Sequence, residues 1–157
     1  MGQDSLPQLA TAWAAQGYPH AQPATPEQLA AFESQHGLRL PADLRNYFLT
    51  LNGGELGREG SMDDANISFW RLDQVRTQVE EGTGQRADLF LFADFLLDSH
   101  LYGIELHAEP ESPTPVFLDD GGTLHMVADS FSTFIRGYLS ADEHVLFGKR
   151  PSSGPSA

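Results

Sequence analysis

Cysteine is missing from all 157 residues. That absence excludes disulfides, thiolate zinc sites and cysteine nucleophiles. It fits a reducing compartment, so a cytoplasmic protein is the expectation. Cationic side chains are scarce. Nine Lys and Arg face 22 Asp and Glu, for a formal charge of −13, and Lys149 is the single lysine. A field of that sign repels nucleic acid, whose binding needs cations to replace counterions. It speeds encounter with a basic protein. Long apolar runs are missing as well. The longest covers residues 89–93, far too short to cross a bilayer, so no membrane partner is expected. The start, MGQDSLPQLA, has no basic stretch followed by an apolar block, so no secretory signal is read there.

Chemical motifs are also lacking. There is no G-x-S-x-G, and Ser68, Ser99 and Ser130 fall in strand, loop and helix-cap contexts. Gly82-Thr83-Gly84 has no Lys after it and reads as a turn, not a phosphate loop. The six histidines form no H-x-x-x-H. His107 and His125 could meet across adjacent strands, which is too few ligands for a metal site. Asp63-Asp64-Ala65-Asn66 and Asp119-Asp120-Gly121-Gly122 lack the alternating oxygens and closing Glu of a calcium loop, and the second reads as a hairpin turn. No cofactor, metal or catalytic residue is expected.

What is present is a set of well-marked elements. Residues 40–54, LPADLRNYFLTLNGG, spell a helix with both ends written in. Pro41 suits the first turn, and Asp43 complements the positive end of the helix dipole. Leu44, Tyr47, Phe48 and Leu51 form one apolar stripe, and Asn52-Gly53-Gly54 ends it. Upstream, a short helix over 6–16 is followed by Thr25-Pro26-Glu27-Gln28, a capping box that opens a helix closed by Gly37. These two later helices are expected to pack as a hairpin. Residues 54–66 read as a surface loop.

A first strand is expected over 67–72 and a short helix over 74–81, capped by Asp73. Residues 89–93 are apolar on both faces, as in a central strand, with Asp94 as an interruption. Tyr102, Ile104 and Leu106 alternate with polar neighbours as in a half-buried strand. A hairpin follows over 116–127. Ser130 or Asp129 caps a last helix whose stripe is Phe131, Phe134, Ile135, Tyr138 and Leu139. Helices, then a meander, then a closing helix define an α+β fold. Its antiparallel, or mixed, sheet has about five or six strands, with helices mainly on one face.

A helix carrying Phe32-Glu33, then Leu40-Pro41, an aromatic helix and Asn52-Gly53-Gly54, resembles the opening of SUKH superfamily domains. FADFLLDSHLYGIEL and PVFLDDGGTLHMVADSFSTFIRGYL in the second half are similar to the bacterial members. The likeness covers about residues 25–140; residues 54–88 show no family pattern. That superfamily groups bacterial immunity proteins with a fungal cell-wall regulator. The resemblance implies a non-enzymatic protein-binding domain that neutralises a basic, nuclease-like toxin by occluding its active site. The alternative it implies is a housekeeping adaptor for an endogenous protein or peptide.

The expected plan is an N-terminal helical extension over 1–24, one SUKH-like domain over 25–147 and a disordered tail over 148–157, monomeric when free. The candidate partner-binding residues are Glu55, Glu59, Asp63 and Asp64 in the loop, Asp119 and Asp120 in the hairpin, and Trp70.

Overall fold

The computed structural model describes residues 5–60, 62–96, 99–109 and 111–148. Three helices come first: α1 (Ser5–Gln16), α2 (Pro26–His36) and α3 (Ala42–Thr50). The strands are β1 (Ile67–Phe69), β2 (Arg76–Thr77), β3 (Leu89–Phe95), β4 (His100–Glu105), β5 (Val116–Asp120) and β6 (Thr123–Ala128). A four-residue helix α4 (Gln78–Glu81) follows β2, and α5 (Phe131–Leu139) and α6 (Glu143–Phe147) close the described chain. The six strands form one antiparallel sheet in the order β1-β3-β4-β5-β6, with β2 also on β3. This is the expected α+β architecture.

Helices α1, α2, α3, α5 and α6 cover the front of the sheet. Phe69, Phe92, Tyr102 and Leu118 on the strands share one core with Leu9 and Trp13 of α1, Tyr47 and Phe48 of α3, and Phe131 and Phe134 of α5. Aromatic edges meet throughout it, with Phe92 at 5.5 Å from Phe131 and 5.4 Å from Phe134. Helix α1 belongs to that core: its Trp13 ring lies 5.1 Å from Phe69, and its indole N–H donates to the Tyr138 hydroxyl.

Local signals explain most ends. Thr25 and Gln28 close the capping box at α2, and Gly37 ends it at φ 64°. Ser130 caps α5 by accepting from Thr133 N–H. The β5–β6 turn is Gly121-Gly122, both at positive φ, the geometry that a two-residue hairpin demands.

Several expectations shift. Helix α3 packs on α5, with the Tyr47 and Phe131 rings 4.8 Å apart, while its tie to α2 is the Glu33 carboxylate, which accepts from Leu40 N–H and Arg45. Strand β1 stops at Phe69, because residues 70–75 swing out through a 3₁₀ turn (Leu72–Gln74) before β2 rejoins β3. The helix expected over 74–81 shrinks to α4, since pairing with β3 holds Arg76 and Thr77 extended; Thr77, not Asp73, caps it. Asp94 does not interrupt β3; its carboxylate accepts from the Trp70 indole at 2.7 Å. Asp119 and Asp120 both lie in β5 rather than in the turn. His107 and His125 do not meet, because β5 stands between β4 and β6. Helix α6, capped by Asp142 and ended by Gly148, was not anticipated. Of the tail expected over 148–157, Gly148 ends α6 and residues 149–157 lie outside the described residues. None of the described helices is long and apolar enough to cross a membrane.

Candidate protein-binding surface

The Asn52-Gly53-Gly54 turn does more than stop α3. Asn52 sits at φ 60°, and its side chain donates to the Gln22 carbonyl while accepting from Leu72 N–H, each within 2.9 Å. Gly53, at φ 75°, lies so close to the next segment that a Cβ would be 2.4 Å from the Trp70 carbonyl oxygen. Gly54 donates to the Phe69 carbonyl. Three consecutive residues therefore clamp the point where the chain leaves β1.

That excursion and α2 wall a groove of about 1100 Å³. Phe32, His36, Leu72 and Val75 give it apolar surface, and Gln28, Arg71 and Arg76 give it donors. The His36 ring lies tilted against Phe32 at 4.5 Å and edge-to-face with Phe90 at 5.1 Å, so it is part of the groove wall. Sequence reading missed this groove, since its walls lie some 40 residues apart; the positive-φ demand of Asn-Gly-Gly was the available signal.

The expected binding residues divide by burial. Glu55, Glu59, Asp64 and Asp120 are exposed. Asp63, Trp70 and Asp119 are buried, with Trp70 at 0% exposure. Asp63 accepts from Ala65 and Ile67 N–H through one oxygen and from the Tyr138 hydroxyl through the other. Burial pushes its carboxyl above the ordinary range despite those donors. The Asp63 charge acts in turn on Tyr138, whose hydroxyl is raised first by burial. Tyr18 is pushed up to about 12, chiefly by burial, and takes Phe69 N–H at its oxygen.

Trp70 forms a small back-face core with Leu91 and Leu101. Residues from the 54–88 stretch cover it. Arg58 lies 4.0 Å over the Trp70 ring and reaches Glu81 with two bonds of 3.0 and 2.7 Å. Those bonds hold the Glu81 carboxyl below its usual range. Gln78 donates to the Asp119 carboxylate, whose other oxygen takes Gly122 N–H.

Internal pairing consumes most of the cations. Arg45 meets Glu33, Arg58 and Arg76 meet Glu81, Arg71 meets Asp73, and Arg86 meets Asp88 and Glu105. Among the described residues, no cation lies within ion-pair distance of Glu55, Glu59 or Asp64. The excess acid is therefore a property of the surface.

Two clusters have the composition of chemistry. Asp88, Glu105 and His107 offer ligand atoms within 4.8 Å of one another. The Arg86 guanidinium already bridges the two carboxylates at 2.7 and 2.8 Å and supplies the positive charge there. Ser99 Oγ lies 3.0 Å from His100 Nδ1, and His100 Nε2 lies 3.4 Å from Asp120. The order imitates a hydrolytic triad, but Ser99 is exposed at the β3–β4 turn, and the large groove lies elsewhere.

The described residues thus form a small α+β domain with helices mainly on one face of its sheet, an acidic surface and a groove of mixed lining. The model of the SMI1 / KNR4 family (SUKH-1) matches residues 23–137, well over half of the chain. The chain belongs to that family. Comparison with curated proteins finds no match.

Proposed function

We propose that this chain is an immunity-type SUKH domain that neutralises a basic, nuclease-like toxin by covering its active site. Carrying the reading beyond the family is one observation: among the described residues most of the cations are paired internally, while Glu55, Glu59 and Asp64 are exposed with no cation within ion-pair distance. Such a surface complements a cleft built to hold nucleic acid. Charge steers the encounter, and apolar contacts hold the complex.

The test is a tagged pull-down from the native organism at low and moderate salt, read by mass spectrometry. One basic nuclease-like domain, retained stoichiometrically and inactive when bound, is the expected result. Retention of an acidic or neutral housekeeping protein would defeat it. The groove beside Asn52 favours that second reading, an adaptor for an endogenous peptide, because a groove of about 1100 Å³ with a mixed lining has room for an extended segment.

A further inference from the structure

The sheet has two unlike edges. At β1 every outward backbone group is satisfied from within the domain. Ile67 N–H donates to the Asp63 carboxylate, and its carbonyl accepts from Asp63 N–H. Phe69 N–H donates to the Tyr18 hydroxyl, and its carbonyl accepts from Gly54 N–H. A second strand finds nothing there to pair with.

At the other edge lies β6, whose inner side pairs with β5. Among the described residues, no side chain or backbone group bonds to its outer side. The usual guards are missing too: TLHMVA holds no Lys, Arg, Asp, Glu or Pro. Beside this open ladder runs an apolar strip on the back face. Met126 is 55% exposed and pairs with half-buried Phe117, and Leu124 is half-buried next to them. The Arg86 guanidinium lies 5.3 Å over the Phe117 ring and closes the inner side of the strip. Exposed acids mark both ends, Asp120 before the turn and Asp129 just past the strand.

We propose that β6 is a strand-addition site for an extended segment of the basic protein partner. The segment extends the sheet by one strand, places an apolar side chain against Met126 and brings cationic side chains to Asp120 and Asp129. Six residues of strand span about 20 Å, enough for a ladder of main-chain bonds that supplies affinity while alternate side chains supply specificity. An uncharged ladder between two acids suits a segment that is apolar in the middle and basic at both ends. The inference rests on the reading of this chain as a binder of a basic protein, and it names where that protein docks.

The test is amide hydrogen exchange on the full chain, free and bound to the basic protein retained in the pull-down, with Met126→Lys as the companion variant. Strand addition predicts new protection at alternate residues of β6. It also predicts binding weakened about tenfold or more by Met126→Lys, with circular dichroism and melting unchanged. A complex that leaves β6 exchange unaltered overturns strand addition and leaves the binding reading standing. Failure to retain any basic protein defeats the binding reading, and the inference with it. Pairing with β5 protects the inward amides of β6 in the free chain, so protection of its outward amides already present there also overturns it. If that protection grows with concentration, a second copy occupies the edge; if it does not, residues 149–157 do.

Discussion

Asn52 makes the turn after α3 a structural junction. Its φ of 60° is one that Asn tolerates, and its amide joins Gln22, Leu72 and the end of the helix. Asn52→Gly keeps the backbone conformation but leaves the buried Leu72 N–H without its acceptor. The expected cost is about 1–3 kcal/mol, read as a lower urea midpoint with unchanged slope.

Asp63 makes a second prediction at the same scale, and its sign is opposite to the usual one for a carboxylate. Its folded pKa is raised, so the folded state holds the proton more tightly than the unfolded chain does. Its contribution is present in full below the unfolded value and is lost as pH rises through the folded one. Glu81, lowered by Arg58, runs the other way and loses its contribution as pH falls through its folded value. The stability of wild type relative to Asp63→Asn should therefore fall as pH rises from the unfolded carboxylate value through Asp63's folded value. Urea titrations of both proteins across acid pH check this; a difference that rose with pH would contradict it.

Among the elements, the caps are separable from the core. Thr25 and Ser130 each accept a backbone N–H at a helix start, at 3.1 Å in both cases. Replacing either by Ala should cost about 1 kcal/mol without changing the fold, measured by thermal or urea unfolding. Gly53 differs in kind. Its Cβ would meet the Trp70 and Phe69 carbonyl oxygens at 2.4 and 3.0 Å, both of them backbone atoms that cannot swing aside. Gly53→Ala should therefore push residues 70–75 outward and distort the groove. The expected sign is altered exchange at Leu72 and Trp70 amides beyond what the Thr25→Ala protein shows.

For the whole molecule the controlling quantity is the −13 charge. Glu55, Glu59 and Asp64 are exposed, so reversing them to Lys should leave folding intact. Association with a basic partner should slow by about tenfold or more at low salt, and the gap should close as salt is raised. Stopped-flow rates at two ionic strengths measure this. Equal rates at low salt would reduce the acidic surface to a solubility feature.

By itself the sequence determined most of the local structure. The Thr25 capping box, the Ser130 cap, the Gly121-Gly122 turn and the aromatic stripes of α3 and α5 are written in neighbouring residues, so spacing and turn chemistry suffice to read them. The SUKH likeness was legible for the same reason, since its motifs sit at element ends. Tertiary structure decided what depends on distant partners. Trp70 and Asp94 bury each other 24 residues apart, and Asp63 meets Tyr138 across 75. No window of sequence shows that such a carboxylate clasps a strand edge instead of facing solvent. The same holds for β1 and β6: each reads alike as a short apolar strand. Only the folded sheet, where Asp63, Tyr18 and Gly54 satisfy one edge and nothing described satisfies the other, sets them apart, because backbone pairing is settled by what comes alongside in space.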